Sequence, residues 1–315
     1  MLTREEERTE WEALVKLLKR AVCSLFSRLG LEISLRKKNE AFKELYPQCW
    51  HGAGFVYNIF GHLLYQNVTD LINYSGLMDI DLNDYAQMHT DEMAVIIKNV
   101  KPGQRVIDIG ANIGLYTLLL AKLVGADGRV IAFEPGPVSF GLLTVNTHLN
   151  RYRNVTLENR AVTDISRTEY YFTNQAEERT NESGGVVFSS KPNFDHSREM
   201  IPVEAVSLDD YFAGRDCNVD YIKIDVEGGE YAALKGMKNL LNANPSIILT
   251  IEFAPYLPLW ADIDIQEFLD YIRSYGFEIF DLRKDDRDPV SDEYLMESYP
   301  KQSVGKYANL LLKRS

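Results

Sequence analysis

The spacing of apolar residues changes character along the chain, and each change predicts a different kind of element. Over residues 4–29, Trp11, Val15, Leu18, Val22, Leu25 and Leu29 recur at alternating steps of four and three, predicting a helix with a short heptad-like seam. Such a seam packs on its own domain or pairs with a second copy of the chain. Residues 31–85 are mixed and aromatic, with Gly52, Gly54, Gly61 and Gly76 as punctuation, and no element can be placed there. A helical pattern resumes over 90–99 and stops at Lys101-Pro102-Gly103.

From there short apolar runs alternate with amphipathic ones. Strands are predicted at Arg105–Ile109, Val130–Phe133 and Asn154–Glu158, with helices over Ile113–Val124 and about 138–149 between them. The rhythm then breaks. Glu169–Thr173, Val186–Ser189 and Ile201–Val206 read as short extended pieces around a polar, Gly-containing stretch. It returns with Tyr221–Ile224 (strand), Glu230–Leu241 (helix), Ile247–Glu252 (strand), Ile265–Tyr275 (helix) and Phe277–Leu282 (strand), and Ala308–Leu312 is a last strand.

Alternating β and α elements predict an α/β fold: a Rossmann-like, doubly wound, mostly parallel seven-stranded sheet covered by helices on both faces. The expected organisation is an N-terminal extension, 1–85, and a main domain, 86–315. Within it, 163–206 is an insertion before the fourth strand, placed to build the acceptor side. In such a sheet ligands bind outside the carboxyl ends of the strands. Asp108, Glu134, Asp225, Glu227 and Glu252 all lie at or near strand ends, so they are expected around one crevice.

The loop after the first strand of this sheet carries the clearest chemistry. Residues 106–117 read Val-Ile-Asp-Ile-Gly-Ala-Asn-Ile-Gly-Leu-Tyr-Thr, an Asp-x-Gly-x-x-x-Gly turn from strand to helix. The loop lacks the Lys and Ser/Thr of a triphosphate-binding loop, and Asn112 and Leu115 stand where a dinucleotide fingerprint needs glycine. What remains suits a ligand with a cationic end and a sugar, such as S-adenosylmethionine. In that reading Gly110 and Gly114 let the backbone approach the ligand, with Ala111 between them. Asp108 and Asn112 orient its amino-acid end. Glu134, 24 residues after Gly110, accepts the ribose hydroxyls. Asn159 and Ala161 contact the adenine.

A second run, Tyr221-Ile-Lys-Ile-Asp-Val-Glu-Gly-Gly-Glu-Tyr, places Asp225 and Glu227 two apart at a strand end. Two carboxylates there can take a proton from a substrate hydroxyl, pair with a cation or hold a metal, and Glu227 can also cap the following helix. His148 and His89 are further possible bases. A divalent metal held by Asp225, Glu252 and a neighbour is a rival to a carboxylate base, although no metal ligand is assigned.

Composition narrows the partners. The net charge of −12 disfavours a nucleic-acid substrate, and the basic run Leu35-Arg36-Lys37-Lys38 is small. The three cysteines, Cys23, Cys49 and Cys217, show no zinc or disulfide spacing. The acidic start is unlike a secretory signal, and no apolar run approaches the ~18 residues of a membrane span. A cytoplasmic protein is expected, with a homo-oligomer through the N-terminal helix as one option.

Val106–Thr117, the Phe133-Glu134-Pro135 turn and, above all, Lys223-Ile-Asp-Val-Glu-Gly-Gly-Glu-Tyr-Ala-Ala-Leu-Lys-Gly resemble the FkbM family of S-adenosylmethionine-dependent methyltransferases. The resemblance covers roughly residues 90–282 and includes the approach Pro202–Leu208 followed by Asp209-Asp210. It implies a class I methyltransferase fold and transfer of a methyl group to a hydroxyl of a sugar, glycan or natural product. It places Asp108, Gly110, Asn112, Gly114 and Glu134 at the co-substrate, Asp225 near the methyl group and Glu227 next to it. It also makes Glu92 the candidate for a helix that closes on the co-substrate. A non-catalytic binding protein, a ribose 2′-O-methyltransferase and a nicotinamide-dependent oxidoreductase stand as alternatives.

Overall fold

The computed structural model describes residues 54–59, 62–67, 90–172, 185–187, 200–257, 260, 262–284 and 288–314. The expected helix over 4–29 lies outside them. Strands β1 (Gly54–Ile59) and β2 (His62–Asn67) form an antiparallel hairpin in the stretch where the sequence placed no element.

The main sheet has seven strands. In chain order they are β3 (Arg105–Ile109), β4 (Arg129–Phe133), β5 (Val155–Glu158), β10 (Tyr221–Ile224), β11 (Ile248–Phe253), β12 (Phe277–Asp281) and β13 (Ala308–Arg314). In space the order is β12-β13-β11-β10-β3-β4-β5, and every neighbouring pair is parallel except the two made by β13. The sheet order doubles back between β3 and β10, which leaves a crevice at their carboxyl ends.

Helices α1 (Thr90–Asn99), α2 (Leu115–Val124) and α3 (Pro137–Leu149) precede or join the first strands. Helices α4 (Leu208–Tyr211), α5 (Glu230–Lys235), α6 (Lys238–Ala243), α7 (Ile265–Ser274) and α8 (Asp292–Ser298) follow. Central strands are buried on both faces: all four residues of β10 and the last four of β3 are buried. Burial on both faces accounts for their mostly apolar sequences, in which Asp108 and Lys223 are the buried charged exceptions.

Between β5 and β10 the chain builds a separate four-stranded sheet in the order β6-β9-β7-β8, from β6 (Ala161–Val162), β7 (Arg167–Phe172), β8 (Gly185–Val187) and β9 (Met200–Val206). The sequence anticipated three of these pieces and missed β6, which is two residues long.

The predicted helix Glu230–Leu241 is two helices, broken at Gly236. A Cβ on Gly236 would lie 1.9 Å from the Thr163 carbonyl oxygen, so the chain bends where it passes the neighbouring strand's exit. Two short helices, α4 and α8, were not anticipated. Each starts at a serine whose hydroxyl accepts a backbone N–H three residues on: Ser207 from Asp210 and Ser291 from Tyr294.

The hairpin is fastened to α3 by asparagine side chains rather than by a strand. Asn146 Oδ1 accepts the Tyr65 N–H at 2.6 Å, and its amide nitrogen donates to the Tyr65 carbonyl at 3.2 Å. One turn later Asn150 repeats the arrangement with both backbone groups of Leu63, at 2.9 and 2.7 Å. Asparagine side chains carry the same donor and acceptor as a peptide group, so two of them one turn apart substitute for a neighbouring strand.

Candidate active site

The loop between β3 and α2 turns on two left-handed glycines, Gly110 (φ 82°) and Gly114 (φ 101°), with Asn112 also at positive φ (49°). The loop is pinned to the end of β4, because the Gly110 and Ala111 N–H groups both donate to the Phe133 carbonyl, at 3.0 and 2.9 Å. Asn146 reaches the same loop from the other side and donates to the Ile113 carbonyl at 2.7 Å.

Gly110 is required by the packing of the protein itself. A Cβ there would meet the Asp225 carbonyl oxygen at 1.8 Å, so the glycine admits the backbone of the β10 exit. A Cβ on Gly114 would stand 2.9 Å from the Leu143 side chain of α3. Both positions bring segments of the protein close together. Ala111 is buried beneath the loop.

Glu134 follows β4 and is 5% exposed. One carboxylate oxygen accepts the Asn112 N–H and the other the Gly136 N–H, each at 2.8 Å. Burial pushes its pKa up to about 7 against these hydrogen bonds. Each oxygen has a further lone pair for a ligand hydroxyl.

Asn159, expected at an adenine edge, is exposed, and its amide nitrogen donates to the carbonyls of Glu134 and Pro135 at 2.8 and 3.1 Å. That amide fixes the turn carrying Glu134 and leaves those two donors no part in reading a base. Ala161 is buried and lines a narrow cleft with Ile109, Gly110, Phe133, Pro135 and Val226.

Beneath the crevice lies a buried charge cluster. Lys223, 1% exposed, points its ammonium at Asp225 Oδ2 (3.0 Å) and sits 4.3 Å from the centre of the Tyr116 ring. Burial works against its charge, but the carboxylates of Asp225, Glu92 and Asp108 outweigh it and hold the ammonium above the ordinary lysine range. Asp225 itself is partly open to the crevice, with 37% of its side chain exposed.

Glu92, in the first turn of α1, is buried. Burial raises its pKa, which Lys223 and a hydrogen bond from Tyr116 oppose. Asp108 is fully buried and accepts the Thr117 hydroxyl at 2.6 Å. Burial raises its pKa too, against Lys223. The weak local signal at Glu92 therefore marks a residue that belongs to this cluster. Thr117 and Tyr116 were legible only as helix positions.

The loop after β10 is held by Glu230. Glu227 stands in the left-handed region (φ 52°), two residues before the Gly229 N-cap of α5. Glu230 accepts the Val226 and Gly228 N–H groups at 3.2 and 3.0 Å with one oxygen and the Trp260 indole N–H at 3.2 Å with the other. Burial pushes its pKa up to about 7. His148 is exposed on α3 with Nδ1 on the Thr144 carbonyl one turn back, and His89 lies outside the described residues.

Among the described residues, three buried side-chain oxygens have no hydrogen-bond partner: Asp108 Oδ1, Asn112 Oδ1 and Glu252 Oε2. Asp108 lies near the carboxyl end of β3, Asn112 in the loop that follows it, and Glu252 near the carboxyl end of β11, with β10 between the two strands. Buried acceptors are almost always satisfied, so these three atoms are open to a donor from a ligand or an ordered water. An ammonium and ribose hydroxyls are such donors, and S-adenosylmethionine carries both. Among the described residues no group of three or more His, Cys, Asp or Glu side chains is disposed to hold a metal ion. No described helix is long and apolar enough to cross a membrane.

Comparison with known proteins gives this geometry a context. The family model for the methyltransferase FkbM domain matches residues 108–279, and that for protein-L-isoaspartate(D-aspartate) O-methyltransferase matches 53–148. The hexuronic acid methyltransferase AglP of Haloferax volcanii is 26% identical over 168 residues, 51% of this chain and 61% of that protein. The 31-O-demethyl-FK506 methyltransferase FkbM of Streptomyces tacrolimicus is 30% identical over 165 residues, 44% of this chain and 62% of that protein. The chain thus spans under two thirds of each relative's length. A solved S-adenosylmethionine-dependent O-methyltransferase of Thermotoga maritima superposes with a TM-score of 0.39 at 15% identity, covering 71% of this chain and 65% of that one.

Proposed function

The chain belongs to the FkbM methyltransferase family, and from that premise we propose that it moves a methyl group from S-adenosylmethionine to a hydroxyl of a sugar, glycan or glycosylated metabolite. The co-substrate supplies an electrophilic methyl on a sulfonium. When it leaves, one C–S bond has broken, one C–O bond has formed, and the hydroxyl proton has passed to the protein or solvent. A displacement of this kind depends chiefly on holding the two reactants in line.

The residues divide that work by strand. At β4, Glu134 offers both carboxylate oxygens to the ribose, and the cleft lined by Ala161 takes the adenine. At β3, Asp108 Oδ1 and Asn112 Oδ1 are the unpaired acceptors for the amino-acid end, with Gly110, Ala111 and Gly114 shaping the loop. At β10, Asp225 is anchored through one oxygen by Lys223 and faces the crevice, where it accepts the proton of the reacting hydroxyl, with Glu227 as its neighbour. The observation that carries this reading is the buried Lys223 ammonium fixing Asp225 one strand away from the glycine loop.

We also propose that 86–315 forms the transferase domain, with 163–206 on the acceptor side and 1–85 as an extension. A cytoplasmic setting, with no nucleic acid among the partners, and pairing of copies through the N-terminal helix belong to the same proposal.

Calorimetry with S-adenosylhomocysteine and transfer of labelled methyl to sugars test it. Asp225→Asn is expected to lower turnover by about 10²- to 10⁴-fold while the thioether still binds. Absence of binding by the wild-type protein overturns the reading. Full turnover after replacing both Asp225 and Glu227 by alanine removes them from the chemistry.

A further inference from the structure

We propose that Glu252 and Tyr256 form the subsite for the acceptor, and that it takes a sugar face carrying neither carboxylate nor phosphate next to the reacting hydroxyl. The proposal rests on the sugar O-methyltransferase reading and narrows its substrate class.

The sheet order supplies the direction. Glu134 follows β4, on one flank of β3, whereas Glu252 belongs to β11, on the far flank of β10. Asp225, immediately after β10, lies between them. The adenosine end occupies the β3–β4 side, so an unsatisfied atom on β11 faces the other reactant.

Glu252 supplies such an atom. Its Oε2 is sealed from solvent and has no hydrogen-bond partner among the described residues. Burial, followed by the charges of Asp225, Glu227 and Glu230, holds its carboxyl well above the ordinary range. In its protonated form a carboxyl donates one hydrogen bond and still accepts others, which suits a hydroxyl. Lys223 is the cation that opposes this shift, and it is already directed to Asp225 and covered by Tyr116.

Tyr256 lies just past the end of β11, partly buried, within electrostatic reach of Glu252 and Glu227. An aromatic ring beside hydrogen-bonding carboxyls gives a sugar an apolar surface for its C–H face and polar partners for its hydroxyls. A carboxylate or phosphate at the same place would meet Asp225 and Glu227 with no cation free to receive it among the residues that shift Glu252. This separates the present chain from what the name of the hexuronic acid methyltransferase relative would suggest for it.

The test is labelled-methyl transfer to matched pairs, methyl glucoside against methyl glucuronide and glucose against glucose 6-phosphate, with S-adenosylhomocysteine affinity measured in parallel. The uncharged member of each pair should be favoured about tenfold or more in kcat/KM, the minimum expected when a like charge is forced into a desolvated site. Glu252→Ala and Tyr256→Leu should each raise the KM for the uncharged sugar about tenfold, Glu252→Gln should restore most of the loss, and thioether affinity should stay within about twofold. Equal or better use of the anionic members overturns the proposal. So does an unchanged KM in Glu252→Ala, or a protein that binds the thioether yet methylates no member of either pair. Failure of the wild type to bind the thioether overturns the broader methyltransferase reading instead.

Discussion

Gly110 and Asp225 meet backbone to backbone: a Cβ on residue 110 would stand 1.8 Å from the Asp225 carbonyl oxygen. The Asp225 N–H in turn donates to the Ile109 carbonyl at 3.0 Å. The loop expected to hold the methyl donor and the residue expected to accept the proton therefore share one junction, at the place where the sheet order reverses.

Gly110→Ala tests that junction. The substitution meets both a left-handed backbone and a clash with main chain that cannot swing aside, so about 2 to 5 kcal/mol of destabilisation is expected. Thermal unfolding and S-adenosylhomocysteine calorimetry should both register it, with affinity lost even where the protein remains folded. Wild-type stability in this variant would show that the two loops are not in contact.

As the proposed ribose partner, Glu134 is expected to make ligand binding pH-dependent. The proposal has the ribose hydroxyls donate to the ionised carboxylate, and burial has moved its titration up to about 7. A carboxyl raised in the folded state holds its proton below that value, so binding must release it. Affinity should rise with pH until about 7 and fall about tenfold per unit below it. Calorimetry in buffers of different ionisation enthalpy should detect the released proton near pH 6.5 in the wild type and none in Glu134→Gln.

Lys223→Met removes the one ammonium that Asp225, Asp108 and Glu92 share. Leaving buried carboxylates without it should cost about 3 to 5 kcal/mol near neutral pH. Glu92 and Asp108 already have raised folded-state values, and the variant raises them further. Groups shifted that way take up protons on folding, so the stability they withdraw grows as pH climbs from their ordinary values of 4.5 and 3.8 toward the raised ones. Denaturant unfolding across that range should show the variant closest to wild type at the acid end.

These results also show what kind of information a sequence carries. β3, β4, β10 and β11 were legible because strands covered on both faces are largely apolar, and Glu134 because an acid ending the second such strand has a fixed place beside the first loop. Residues whose roles depend on a distant partner were not. The break at Gly236 is set by the Thr163 carbonyl, from another sheet. The role of Glu230 in the loop after β10 was not legible, because it depends on the positive φ of Glu227 and of Gly228 (104°), which turns the Val226 and Gly228 N–H groups onto it. Asn159 stands at the end of the third strand as an adenine contact would, but its amide is taken by the carbonyls of Glu134 and Pro135. The β1–β2 hairpin left no periodic signal, because what holds it is a pair of asparagines more than 80 residues away.

That pair has a practical consequence for anyone trimming the protein. A boundary drawn at residue 86, where the regular alternation begins, would look clean on paper. It would discard the segment that Asn146 and Asn150 grip, and Asn146 is fully buried. Its amide would keep the Ile113 carbonyl but lose both backbone groups of Tyr65, and the glycine loop would lose the outer half of its clamp. The shortest piece worth expressing starts before Gly54.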